Sequence, residues 1–215
     1  MTDIRGWVAQ KSIGSASEGS MVAVKASRRG ELVVIDFFTQ MALEGRAYQV
    51  RAGTITTPLV GDLLVTDSAA EMCVDAAAGV TVIPVYLNVA IRLGTGILHE
   101  YAAKSVASAS TAGTAFVPLN LMLGGSAALS TARVGAAGAV SVAAEATTTT
   151  RRHWAYSNPL AVAAGHDITT HEWAPINPPT LVGTACFYVQ IAASGTGPSH
   201  YTVTDYIELT TTAVS

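Results

Sequence analysis

Two runs near the C-terminus restrict this chain more than any other feature. Leu181–Ala192 reads LVGTACFYVQIA and Tyr201–Leu209 reads YTVTDYIEL. Both are dense in Val, Ile, Thr, Tyr and Phe, side chains that fit a pleated, half-buried surface. The intervening ASGTGPSH, with Gly195, Gly197 and Pro198, interrupts either strand. In the second run Tyr201, Val203, Asp205, Ile207 and Leu209 fall on one face, and Thr202, Thr204, Tyr206 and Glu208 on the other. This alternation predicts a strand with the first face on a core and the second in solvent, Asp205 being the polar exception. The two runs are expected to pair as a hairpin that closes a β-sandwich.

The rest of the chain repeats that texture. The N-terminal stretch is punctuated by Gly6, Gly14, Gly19 and Gly30 and is dense in Ser; residues 1–30 are expected to form an extended arm, with a short strand at Met21–Ala26. A sandwich domain is expected over 31–215. Leu32–Thr39 is rich in β-branched residues and reads as a strand, followed by a helical turn that Gly45 ends. Ala47–Ile55 alternates Tyr48, Val50 and Ala52 against Gln49, Arg51 and Gly53, a one-sided strand. Ala69–Cys73 is expected to be a helical turn. Val80–Ile83 and Val85–Arg92 read as strand with Pro84 at a bulge or edge, and Ile97–Ser105 returns as a second hairpin. Ala115–Leu123 is an apolar run broken by Pro118. Gly124–Ala146, almost uncharged, suits a thin strand or a loop lying flat on something. His153–Tyr156 reads as a further strand, and Pro175, Pro178 and Pro179 mark a loop.

Many short strands, many turn signals and no long helical period describe an all-β protein: a single jelly-roll-like antiparallel β-sandwich with an extended N-terminal arm. The 215 residues suffice for a sizeable core. Charged residues make up only 13% against 50% hydrophobic, about half the ~25% charge usual in soluble domains. Weak self-repulsion points to a surface that other subunits cover. The net charge of −3, with no basic stripe, argues against nucleic acid as a partner. No stretch reads as a signal peptide or as a transmembrane helix, so no membrane partner is expected. Cys73 and Cys186 stand in apolar surroundings, as buried free thiols of a reducing compartment.

Chemistry finds little foothold. His166, Asp167, His171 and Glu172, with His99 and Glu100, form the best metal candidate, but the spacing matches neither HExxH nor an HxH pair, so polar loop histidines are expected instead. No GxSxG elbow or phosphate-binding glycine loop occurs. The expectation is a non-enzymatic protein with no cofactor. Residues expected to contact other subunits are Trp7, Arg28 and Arg29 in the arm, and Arg151, Arg152 and Trp154 in the later strand.

The stretches GELVVIDFFTQMALEGRAYQVRAGTITTPLVGD, VIPVYLNVAIRLGTGILHEYAAKS and CFYVQIAASG…YTVTDYIEL resemble virion structural proteins with a jelly-roll sandwich. They are most similar to the cement or decoration proteins of tailed-phage heads. That resemblance implies a homotrimer on the outer surface of a phage capsid, with the major capsid protein as partner, bridging neighbouring capsomers after assembly in the host cytoplasm. It implies no catalytic residues. A receptor- or glycan-binding head of a tail fibre or spike, a jelly-roll shell protein, and a jelly-roll enzyme or metal-binding domain are the other readings of the same texture.

Overall fold

The computed structural model describes residues 36–93, 98–158, 169–195 and 197–210. The arm expected over 1–30 lies outside them, with Trp7, Arg28 and Arg29. Where the apolar run beginning at Leu32 enters the described part, the expected strand to Thr39 is corrected: Phe37–Leu43 is a helix, α1. Asp36 is its N-cap, extended at φ −67° and ψ 153°, and its carboxylate accepts the Thr39 amide at 2.9 Å. A helix wins because Phe38 and Met41, three apart, then pack together on Ile83, Val85, Ile207 and Leu209. It stops at Gly45 (φ 71°), as the sequence predicts. The Gly45 amide donates to Ala42 O (3.0 Å) and the Arg46 amide to Met41 O (2.8 Å), the paired bonds of a left-handed glycine stop.

The strands are β1 (Ala47–Ala52), β2 (Leu59–Val60), β3 (Ala69–Ala70), β4 (Met72–Ala76), β5 (Val80–Leu93), β6 (His99–Val106), β7 (Thr111–Ala112), β8 (Thr114–Phe116), β9 (Leu119–Asn120), β10 (Thr131–Val134), β11 (Val140–Ser141), β12 (Thr150–Asn158), β13 (Thr169–Trp173), β14 (Leu181–Val182), β15 (Ala185–Ala193) and β16 (Ser199–Thr210). One sheet runs β13-β5-β16-β1-β9, with β14 beside β5 and β2 beside β16; the other runs β12-β6-β15-β4-β10-β8. Their ladders are antiparallel, and their facing side chains share one core. The protein is therefore an all-β antiparallel sandwich, as expected. The helical turn expected at Ala69–Cys73 is instead the junction of β3 and β4. Its apolar side chains are needed in two sheets, and the Glu71 amide between them donates to Val189 O at 3.0 Å.

Both expected hairpins are corrected. β5 and β6 lie in opposite sheets, and so do β15 and β16. Each pair is an arch that crosses the core, and the two arches nest: β5 pairs β16 while β6 pairs β15. Strand texture and a breaker between two runs suit an arch as well as a hairpin. What decides is that all four strands are buried on the side facing the other sheet. Pro84 does sit at a bulge. The β16 register shifts between Asp205 and Tyr206, so Val85 lacks a partner there. On the opposite edge of β5, β14 ends at Val82 and β13 begins at Leu87, so no ladder there needs the amide proline lacks.

The faces of β16 are the reverse of the amphipathic reading. His200, Thr202, Thr204, Tyr206 and Glu208 point inward and are buried, whereas Tyr201, Val203 and Asp205 are half-exposed on the outer face. Ile207 and Leu209, also outward, are buried only because α1 covers them. Some of the inner polar groups find partners, His200 Nδ1 with Thr202 Oγ1 at 3.0 Å and Tyr206 OH with Ser130 Oγ at 2.7 Å, whereas Thr204 Oγ1 has none among the described residues. Strand β1 keeps its predicted sides, with Tyr48, Val50 and Ala52 inward and Tyr48 stacked on Tyr206 at 5.7 Å.

The six-stranded sheet is covered on its outer face as well. The short strands β3, β11 and β7 form a third sheet there. Under it Ala70, Cys73, Val106, Val140, Val142, Cys186 and Tyr188 make a second apolar cluster. The nearly uncharged Gly124–Ala146 segment thus divides: Thr131–Val134 is strand β10 of the six-stranded sheet, and Val140–Val142 lies flat over that sheet's outer face. Cys73 and Cys186 are free and buried, as predicted, and burial pushes the Cys73 thiol up to about 12.

Candidate interaction surfaces

Strand β12 carries three of the residues singled out from the sequence. It is an edge of the six-stranded sheet, with a bulge between Arg152 and Trp154. The bulge turns both His153 and Trp154 inward. His153 Nε2 meets Ser105 Oγ at 2.8 Å, its ring lies near Phe187 and Trp173, and Trp154 packs on the core. Arg151 and Arg152 stay exposed. Arg152 reaches Glu145 at 3.1 Å, and Glu145 also holds the buried Lys104 at 2.5 Å. That pair of cations holds the Glu145 carboxyl below its ordinary range, the Lys104 hydrogen bond first. Arginines and a bulge on a nine-residue edge strand also discourage edge-to-edge pairing. Among the six residues expected at contacts, Arg151 and Arg152 are therefore surface groups on one edge and Trp154 is a half-buried core anchor.

The expected loop around His171 is in its described part a strand, β13. It is the edge of the seven-stranded sheet on the same side of the sandwich as β12. His171 and Trp173 point inward and Glu172 outward. Tyr156 stacks on Tyr101 (5.6 Å) and lies 3.9 Å from the His171 ring; Trp173 stacks on Phe187 (5.7 Å). An aromatic seam thus closes this side of the sandwich. Burial lowers the pKa values of His171 and His153, keeping both rings neutral at pH 7. His166 and Asp167 lie outside the described residues, and among those described no three metal-ligating side chains converge.

Buried carboxyl groups tie the loops down. Glu71 accepts the amides of Asp62 (3.2 Å), Gly138 (3.1 Å) and Ile191 (2.8 Å), and burial pushes its carboxyl up to about 8 against those donors. Glu208 accepts the Leu129 and Ser130 amides and the Ser130 hydroxyl at 2.7–3.1 Å. Asp75 takes the Ser110 amide and hydroxyl, both at 2.7 Å. Each acid has backbone donors and sits inside the fold; the arrangement fastens chain segments.

The opposite side of the sandwich is apolar and open. Here β8 and β9 are the edges of the two sheets, and residues 117–118 cross between them. Asn120 shapes the loop after β9: its amide donates to Gly45 O (2.9 Å) and Ser126 O (2.8 Å), while its oxygen accepts the Met122 amide (2.9 Å). With its polar groups satisfied locally, this loop turns its apolar side chains outward. Val117, Leu119, Met122, Leu123 and Leu129 are exposed, Leu123 almost completely, and Leu43 of α1 joins them. The sequence marks Ala115–Leu123 only as an apolar run. Pro118 and the short apolar stretch after it are the available hints that the chain there does not stay in a sheet.

No family model, curated protein or solved structure matches this chain.

Proposed function

We propose that this chain is a non-enzymatic structural subunit that works by burying its apolar side wall against a neighbour. Its place is the outer surface of a phage head, where it acts as a cement or decoration protein bridging capsomers. The observation that carries the reading is the exposed row Leu43, Val117, Leu119, Met122, Leu123 and Leu129 on one wall of a charge-poor sandwich. Apolar side chains left exposed along one wall mark a contact, because their exposure costs free energy in proportion to its area. The strand pairing supports a jelly-roll winding: β1 with β16, β4 with β15, β5 with β13 and β6 with β12 is the pairing of an eight-strand chain folded in half and rolled. The partner surfaces are copies of itself in a homotrimer and the major capsid protein; in this reading Arg151, exposed on the β12 edge, meets acidic groups of a second neighbour, while Arg152 is held by Glu145.

The test is the absolute mass in solution, by light scattering behind size exclusion, followed by binding to shells lacking the protein. A trimer that binds shells and loses either property on Leu123→Ser supports the reading. A monomer that binds no shell refutes it.

A further inference from the structure

The outer face of the seven-stranded sheet is unlike the rest of the surface. The helix α1 covers only its Ile83, Val85, Ile207 and Leu209 end. Beyond that, register places Tyr86, Asp205 and Gln49 in one row across β5, β16 and β1. Glu172, Asn88, Val203 and Arg51 form the next row across β13, β5, β16 and β1. These side chains are half-buried or exposed, although β5 and β16 are the longest strands in the described part of the protein.

The polar groups of this face bond to one another along it. The Tyr86 hydroxyl donates to Glu172 Oε1 at 3.0 Å, the Asn88 amide to the same oxygen at 3.2 Å, and the Gln49 amide to Asp205 Oδ1 at 2.9 Å. Each carboxylate keeps acceptor capacity, and each amide keeps a donor or acceptor. At one end the 53–57 turn rises as a wall. Thr54, Ile55 and Thr56 there enclose with Gln49, Arg51, Tyr201 and Val203 an open concavity of about 380 Å³. The Arg92 guanidinium bonds Ile55 O and braces that wall.

We propose that this face binds a neutral oligosaccharide. A sugar ring offers hydroxyls that both donate and accept, and apolar C–H faces. The sheet offers fixed carboxylates and amides in rows, with the Tyr201 ring and Val203 in the floor of the concavity. Charge selects against other ligands. Asp205 and Glu172 balance Arg51 and Arg92, so no surplus cation awaits a phosphate or sulfate. The apolar area is too interrupted for a hydrophobic peptide, which the opposite wall would suit better. The site is independent of the assembly reading: it lies on a different surface and has a different readout.

The experiment is a screen of the full chain against an array of neutral glycans, with calorimetric titration of the best hits and of cellohexaose, laminarihexaose and N-acetylchitohexaose. At least one neutral glycan is expected to bind saturably. Tyr201→Ala and Glu172→Gln are each expected to weaken it by about tenfold, the loss of one good contact. Leu123→Ser, on the other wall, is expected to leave it unchanged. Glu172 is an exposed edge residue, so its variant keeps the fold if Tyr201→Ala does not. The absence of saturable binding to any neutral glycan overturns the proposal, and so does binding that Glu172→Gln and Tyr201→Ala leave intact. The mass measurement reads the assembly proposal separately, whichever way this one falls.

Discussion

His200 is a buried base at the start of the central strand, and acid should find it. Its ring is fully buried between Ile91 and Leu59 of the neighbouring strands. Nδ1 meets Thr202 Oγ1 at 3.0 Å, while Nε2 has no hydrogen-bond partner among the described residues. Burial lowers its pKa from 6.5 to about 4, so the folded protein keeps it neutral while the unfolded chain protonates it. Its contribution to stability is complete above pH 6.5 and is lost as pH falls from there through 4. Proton linkage with those two values puts the loss at about 2 kcal/mol by pH 5 and about 3 kcal/mol at full protonation. Glu71, with its pKa raised from 4.5 to about 8, works in the opposite sense: its contribution is full below pH 4.5 and fades as pH rises to 8. The His200 effect is therefore read as a difference. Urea unfolding of the parent and of His200→Leu is measured at pH 8, 7, 6 and 5. Any change in packing shifts the variant by a constant, so only the divergence with pH matters. The parent is expected to lose about 2 kcal/mol more than the variant between pH 8 and 5. Parallel stability curves would refute the assignment of His200 as a buried neutral base.

Four further outcomes are expected. Glu71→Gln should remove the alkaline decline, so that its stability relative to the parent rises between pH 5 and 8 in the same unfolding assay. Glu208→Ala strands the Leu129 and Ser130 amides, leaving the Ser130 hydroxyl only its Tyr206 partner, and should cost about 3 kcal/mol; amide exchange at Leu129 and Ser130 should accelerate. Gly61→Ala would place a Cβ 2.3 Å from Ile191 O, a backbone atom that cannot yield cheaply, and should cost roughly 3 kcal/mol in a thermal melt. Deleting the first 20 residues should leave the melting temperature nearly unchanged but weaken assembly and shell binding; loss of the fold would refute the idea of an arm that reaches a neighbour.

Much of the fold is legible in the sequence. Period-two patterning identifies β1, β12 and β16, β-branched and aromatic texture between breakers identifies β5, β6 and β15, and Gly45 and Pro84 do the jobs their chemistry suggests. The departures have physical causes. Leu32–Thr39 reads as a strand when β propensity is summed without weighing Asp36 as a helix cap. Ala69–Cys73 reads as helical because so short a window cannot reveal that its alanines and sulfurs are shared between two sheets. The candidate contact residues on β12 lie on an edge, yet Trp154 turns inward through a bulge that no residue type announces. The apolar wall is invisible to the sequence because Leu119, Met122 and Leu123 carry the same hydrophobicity whether they face a core or a neighbour.

Side-chain chemistry within a few residues is enough to set the class: β strands, buried thiols, few charges and breakers at the strand ends. Long-range packing settles which strands pair, that the two apparent hairpins are arches, and which face of Tyr201–Leu209 looks inward. Alternation states that a strand has two faces and is silent on what covers each one. Here α1, arriving from more than 150 residues earlier in the chain, buries Ile207 and Leu209 from outside and leaves the Thr-lined face to the core.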